Sequence, residues 1–357
     1  MAETLTPRRA LLALALCALC SAPALAVRPI RPPAPEFPEG NAWVNSVAMS
    51  LARLRGRRVV LVSFMDLSTP NSVRALPVLK RWWDLYALEG LMVIGVHTPD
   101  YGFARDPLEV RRAVKRFDIK FPVTIDTQRA LWRAYSNEGW PSHYLIDHKG
   151  RIVHDRMGEG GYTEFEEEIL LALDSFNGYD PPKGFKPQAD PPKQGCLLPT
   201  PGFYLGTARG KAPKKVDPAL DLPVGLSRGG EISYYGAWSN EPESLRYTGT
   251  KADMRSATRV IYTAAEALAV LGSSGPRPVR LYIQQNGSWL HAGNANVDVK
   301  WDDDDRSYVL VDKPRLHYLT KNKKDDMNNL ALMPLDAGLD IYAFEFSDFC
   351  QTDYEHR

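Results

Sequence analysis

The chain has 357 residues, long enough for two domains, of which 44% are hydrophobic and 24% charged. Its 44 Lys and Arg against 43 Asp and Glu leave a formal net charge of +1, so no long-range field draws it to nucleic acid or to an anionic membrane. The four cysteines have no zinc-site spacing, and there is no phosphate loop or internal repeat.

At the start, Arg8 and Arg9 precede the apolar run 10–19, and Ala24, Leu25 and Ala26 form an A-x-A site. Residues 1–26 are expected to be a secretory signal peptide, too short to span a bilayer and cleaved before Val27. Lipoprotein processing needs a small residue before the modified cysteine, but Leu16 precedes Cys17 and Leu19 precedes Cys20. The expectation is an exported protein, periplasmic or secreted, with no membrane span after cleavage; Sec and twin-arginine export both remain open. A proline-rich lead, residues 27–39, follows.

The β-branched run VVLVSF (59–64) predicts a buried strand, and RLRGRR (53–58) before it a solvated edge. Ser72 to Tyr86 carries Val73, Leu76, Leu79, Trp83 and Tyr86 at helical spacing, with Pro77 expected to bend it. A second strand, LMVIGV (91–96), completes a βαβ unit, which favours a parallel sheet with functional loops at the strands' carboxyl ends. GWPSHYLIDHKGRIV (139–153) suggests a hairpin and 162–176 an amphipathic helix, which places the first domain at 40–178. The Pro-, Gly- and Lys-rich stretch 179–200 is expected to be a semi-rigid exposed linker. Beyond it, in 201–357, come EISYYGAW, RVIYTA, ALAVLG, VRLYIQQNGSWLHAG, YVLVDKPRLHYL and LDIYAFEFSDF. Short strands at this spacing, with the hairpin signal Asn286-Gly287, predict an antiparallel sandwich of jelly-roll type.

The segment FMDLSTPNSVRALP (64–77), with its flanking strands and the WP and YLID of 139–153, resembles the thioredoxin-like part of DipZ-type and TlpA-type proteins. FYLGTARG (203–210), VLVDKPRLHYLT (309–320) and IYAFEF (341–346) resemble the module that follows it in DipZ-type proteins, which is similar to a carbohydrate-binding fold. The resemblance implies an α/β thioredoxin-like domain followed by an all-β sandwich, with Pro141 as the cis-proline of the first. It also implies a tryptophan and a Cys-x-x-Cys where this chain has Met65, Thr69 and Ser72, and a relay acid where it has Ser63. Hydroxyls neither ionise usefully near neutral pH nor exchange with disulfides, so dithiol chemistry is expected to be lost and no cofactor or metal is implied.

Three functions follow as alternatives. One is a groove around Pro141, Thr69, Ser72, Arg74 and His97 that binds an exported or envelope protein or peptide without covalent exchange. The second is replaced chemistry, with Ser72 or Thr69 as nucleophile and His97 or His143 as base. Against it, Thr69 can act as helix cap and Ser72 sits in the first turn. The third is glycan binding by the sandwich through Tyr234, Tyr235, Trp238, Trp289 or Trp301, residues that equally suit a core. Asp302 to Asp305 is read as a solvated hairpin tip, with calcium the alternative. Cys196 and Cys350 are expected to form a disulfide in an oxidising compartment, the alternative being two buried thiols.

Overall fold

The computed structural model describes residues 31–190, 199–217, 229–249 and 256–347. Strand β2 (Val59–Met65) is buried along its whole length, and its alternation sets two layers. Val59, Leu61 and Met65 enter one apolar cluster, while Val60, Val62 and Phe64 enter another on the opposite face. A strand covered on both sides needs apolar residues at every position, which explains the unbroken VVLVSF run.

Around it lies a six-stranded sheet in the order β1-β4-β3-β2-β5-β6, where β1 is Ala42–Val44, β3 Leu91–His97, β4 Val123–Ile125, β5 Ser142–Ile146 and β6 Ile152–Met157. Strands β2, β3 and β4 run parallel, and β1, β5 and β6 each run antiparallel to a neighbour. Among the described residues five α-helices complete this half: α1 (Leu51–Leu54), α2 (Pro70–Tyr86), α3 (Pro107–Arg116), α4 (Ala130–Ala134) and α5 (Tyr162–Asn177), with a 3-10 turn at Phe103–Arg105. Residues of α2, α3 and α5 pack on the Val59 face, and those of α1 and α4 on the other.

Helix α2 starts with Pro70, whose fixed φ and missing N–H suit a first turn, and it continues through Pro77. Its inner face is Val73, Leu76, Leu79, Trp82 and Tyr86. The sequence spacing put Trp83 there; the structure buries Trp82, stacked on Phe165 at 5.4 Å, and leaves Trp83 partly covered. Trp82 lies three residues after Leu79 and four before Tyr86, so it shares their face.

The proline-rich stretch after α5, expected as a semi-rigid exposed linker, is held against the first domain over residues 179–190. Tyr179 and Phe185 pack onto the first core, Tyr86 meets both rings, and Arg81 lies 5.8 Å from the Phe185 ring. Glu166 on α5 accepts from Arg81 at 2.7 Å, from the Tyr86 hydroxyl at 2.6 Å and from the Gln188 N–H. Thr163 donates to the Gln188 carbonyl at 2.8 Å, so the segment straps α2 to α5. Apolar rings spaced among prolines can bury against a helix pair, which composition alone does not reveal. Cys196 and Cys350, and with them the expected disulfide, lie outside the described residues.

The second half is a two-sheet sandwich. One sheet has six strands, with Leu339–Ser347 flanked by Leu245–Tyr247 and Glu266–Ser273; the other has eight, with Met327–Pro334 between Val279–Gln285 and Ala257–Thr263. Ala269, Leu271, Ile341 and Phe344 of the first meet Val260, Tyr262, Leu281, Ile283 and Leu332 of the second in one core. Asn286 and Gly287 both adopt positive φ in the tight turn from Val279–Gln285 to Ser288–Trp289. Among the described strands of the sandwich pairing is antiparallel, save that Lys214–Lys215 runs parallel to Ser233 and Tyr234; an isolated parallel bridge also joins Leu205 and Lys211.

From Pro33 onward the chain forms one compact unit. Tyr101 and Phe103, in the loop after β3, insert among Leu268, Val270, Leu316, Tyr318, Ala343, Tyr204 and Tyr342 of the sandwich. Asp100 accepts from the Tyr204 hydroxyl at 2.8 Å and from Arg209 at 2.6 Å, and Arg209 lies 4.1 Å over the Tyr204 ring.

Candidate functional site

Strand β2 ends at Met65, and the chain turns through Asp66 to Thr69 before α2 begins. Asp66 is buried and organises this turn. Its Oδ1 accepts from the Ser68 N–H at 2.8 Å and from the Ser68 hydroxyl, and its Oδ2 accepts from the Asp100 N–H at 2.6 Å.

Thr69 and Ser72 are brought together, with hydroxyl oxygens 2.8 Å apart. The Thr69 hydroxyl donates to the Asp66 carbonyl at 2.9 Å, and the Ser72 oxygen accepts from the Asp66 N–H at 3.1 Å. A hydroxyl carries one proton, so the Ser72 O–H points to the Thr69 oxygen and the ring closes on the Asp66 peptide groups. Thr69 occupies the N-cap position of α2 with extended φ and ψ, as its sequence position suggested. Its side chain, however, turns back to Asp66 because Ser72 and the Asp66 carbonyl offer nearer partners. Ser72 lies in the first turn with 1% exposure.

Arg74, further along the same helix, has Nε 3.1 Å from both Glu159 oxygens and Nη2 2.9 Å from one of them; Asn71 accepts from it as well. Glu345 of the sandwich lies within electrostatic reach of Arg74. Burial pushes its carboxyl up to about 7, Arg74 opposes the rise, and Asp100 adds to it.

His97, at the end of β3, is 2% exposed and donates from Nε2 to the Ala104 carbonyl at 3.0 Å; its Nδ1 has no hydrogen-bond partner among the described residues. His143 on β5 has Nδ1 3.0 Å from the Ser63 hydroxyl, and both residues are buried. Burial, with a smaller push from Arg156, lowers the His143 imidazole to about 4, so it is neutral near pH 7. The place expected for a relay acid thus holds a buried Ser–His pair. Neither the Thr69 nor the Ser72 hydroxyl meets a histidine, so the nucleophile–base geometry considered from the sequence is not assembled there.

The Trp140–Pro141 bond is cis, and the Pro141 carbonyl accepts from the Gly158 N–H at 2.7 Å. Phe64 pairs with Ser142 and Met65 with His97, which puts Pro141, the Asp66 turn and His97 at one end of three adjacent strands. Trp140 lies 4.5 Å from Trp132, Arg129 covers both rings, and Met157 nearby is 58% exposed. Asp66, Asp100, Glu159 and Glu345 were missed from sequence. For Asp66 a signal existed, since an Asp two residues before a Ser in a turn favours a side chain to backbone bond; the other three depend on contacts between distant segments.

In the sandwich, Tyr234 and Trp238 pack on the core. Tyr235 and Trp289 lie on the outer face with Tyr282 and Tyr308, and Trp301 is 40% exposed. Asp302 accepts from the Tyr282 hydroxyl at 2.7 Å, from Arg306 Nε at 2.9 Å and from the Asp304 and Arg306 N–H groups. It holds a hairpin tip together, and among the described residues no group of three His, Cys, Asp or Glu side chains converges on a metal site.

Residues 32–169 match the redoxin family. DipZ of Mycobacterium tuberculosis is 32% identical over 248 residues, a match covering 65% of this chain and 34% of DipZ, so the chain spans about a third of that relative. The thiol-disulfide oxidoreductase ResA of Halalkalibacterium halodurans is 30% identical over 127 residues, 35% of this chain and 67% of ResA. Among solved structures, a thiol-disulfide isomerase from Corynebacterium glutamicum is 28% identical, covers 41% of this chain and 98% of its own, and has a TM-score of 0.35. Through residues 32–169 the chain belongs to the redoxin family, as a thioredoxin-like relative of DipZ and of the thiol-disulfide oxidoreductase ResA.

Proposed function

We propose that this chain is an exported thioredoxin-fold binding module that holds a peptide or envelope protein at the Thr69–Pro141 end of its sheet without dithiol exchange. One observation carries the proposal. Where the family's chemistry needs two thiols, Thr69 and Ser72 are closed into a hydrogen-bonded ring with the Asp66 peptide groups, and the described residues include no cysteine. Oxygen cannot replace sulfur in disulfide exchange, whatever its environment. Trp140 and the exposed Met157 beside Pro141 offer apolar surface for a non-covalent partner. Export rests on the signal-like residues 1–26; among the described residues no helix is long and apolar enough to cross a membrane.

The test pairs the mature chain with a Thr69→Cys/Ser72→Cys variant in insulin reduction and in capture of exported proteins. The natural protein is expected to reduce nothing, and the variant to gain turnover and mixed disulfides. Turnover by the natural protein overturns the proposal, and a variant that neither turns over nor traps removes the groove. A second reading, glycan binding by the sandwich, draws on the partly exposed outer-face aromatics Tyr235, Trp289 and Tyr308. Loss of glycan retention in a Trp289→Ala full chain would support it.

A further inference from the structure

The sandwich turn at residues 312–315 stands over α3, and between them lies a cleft of about 240 Å3. It opens on the side of β2 away from Pro141, because His97 lines it from β3 while Pro141 precedes β5. Its floor is apolar: Leu67 and Val110 are buried, and Phe103, Ala113 and Phe117 complete it. Asp66 also borders it, but the Ser68 and Asp100 groups already occupy both of its oxygens.

The rim carries the cations Arg112, Arg116, Lys313 and Arg315 together with the carboxylates Glu109 and Asp312. Arg112 is held by Glu109, and Arg315 forms two bonds of 3.0 Å with Asp298. Arg116 reaches that same Asp298 only at 3.9 Å, and burial together with Arg315 pushes its guanidinium below the ordinary value. Lys313, on the opposite wall, pairs with no carboxylate among the described residues. Lys313, with no carboxylate partner among the described residues, and Arg116, which shares Asp298 with Arg315 and has Asp312 near it, therefore face one apolar floor. A cavity of roughly 150 Å3 accepts benzene, so this cleft has room for one ring with a short substituent.

We propose that the cleft between α3 and the 312–315 turn binds a small free carboxylate with an apolar ring or branched body. The body lies on Leu67, Val110 and Ala113, and the carboxylate is held by Arg116 and Lys313. The charge is recognised at a partly desolvated rim, where a paired guanidinium gains more than it does in bulk water. The floor discriminates against bare anions such as acetate, which leave it uncovered.

Phenylacetate is the probe, titrated into the full chain while the His97 ring resonances and the heat of binding are followed. Saturable binding that shifts His97 is expected, with neutral phenylacetamide and apolar-poor acetate each weaker by about tenfold. Arg116→Gln should weaken phenylacetate by about tenfold, and the exposed Lys313→Gln by about threefold, each removing part of its advantage over the amide. Ala113→Trp should fill the floor and abolish binding. Because Arg116 also lies 3.4 Å from the Leu316 carbonyl, Lys313→Gln decides the charge question if Arg116→Gln misfolds. The proposal fails if His97 shows no saturable shift at about 20 mM probe, well beyond a weak millimolar site. It fails equally if acid and amide bind alike, or if Ala113→Trp leaves binding unchanged.

Discussion

His143 shows how burial at one position sets a pH dependence for the fold. Its imidazole is lowered to about 4 in the native state against 6.5 unfolded. Between those values the unfolded chain binds the extra proton, so stability is full above pH 6.5 and declines as pH falls toward 4. A shift of that size corresponds to about 3 kcal/mol. His317, lowered to about 3 by burial and then by Arg315, acts in the same direction. Urea unfolding between pH 7.5 and 4 is expected to show this loss, with a shallower slope in His143→Leu. Glu345 has the opposite sign: raised to about 7, it is neutral at no cost below 4.5, and its penalty grows as pH rises through 7. Glu345→Gln should therefore gain stability over the natural protein as pH rises from 4.5 to 7, by about 2 kcal/mol. Asp66→Ala leaves the Ser68 and Asp100 N–H groups without their acceptor, an expected loss of about 3 kcal/mol by equilibrium unfolding.

At the scale of elements, β2, β3, α2 and α5 were legible because each carries its own period: unbroken apolar runs for strands buried on both faces, three-and-four spacing for helices. The strand Met327–Pro334 was not anticipated, although it lies inside the larger sandwich sheet. It follows a charged turn, has two asparagines near its start and ends in proline, local features that suggest a loop. Its place is set by pairing with Ala257–Thr263 and Val279–Gln285. The contacts that hold the stretch after α5 were not legible for a related reason, since its anchor is Glu166 in another element. Glu166→Ala should remove the acceptor shared by Arg81, Tyr86 and Gln188, cost about 3 kcal/mol, and expose residues 179–190 to limited proteolysis.

For the whole molecule, the decisive contact is the Asp100–Phe103 loop inserted into the sandwich. Tyr101 is buried among sandwich residues, and Asp100 holds both Tyr204 and Arg209. A contact with a buried aromatic centre and a charged clamp couples the unfolding of its two sides. Calorimetry of the natural protein should give one transition, and Asp100→Ala/Tyr101→Ala should separate it into two.

The sequence by itself determined the thioredoxin-like identity of the first half, the strand-rich character of the second, and the oxygen-for-sulfur exchange at Thr69 and Ser72. Those properties reside in local periodicity and in the elements present, and no packing can change them. Only the tertiary structure decided what these residues touch: the hydroxyl ring on Asp66, His97 turned to Ala104 and the α3 cleft, and Arg74 paired with Glu159. The Asp66 ring and the His97 bond close between near neighbours in sequence, whereas the Arg74–Glu159 pair and the two walls of the α3 cleft join segments far apart in the chain. A side chain's partners are set by which surfaces remain uncovered once the cores have closed, and that choice has no local signature.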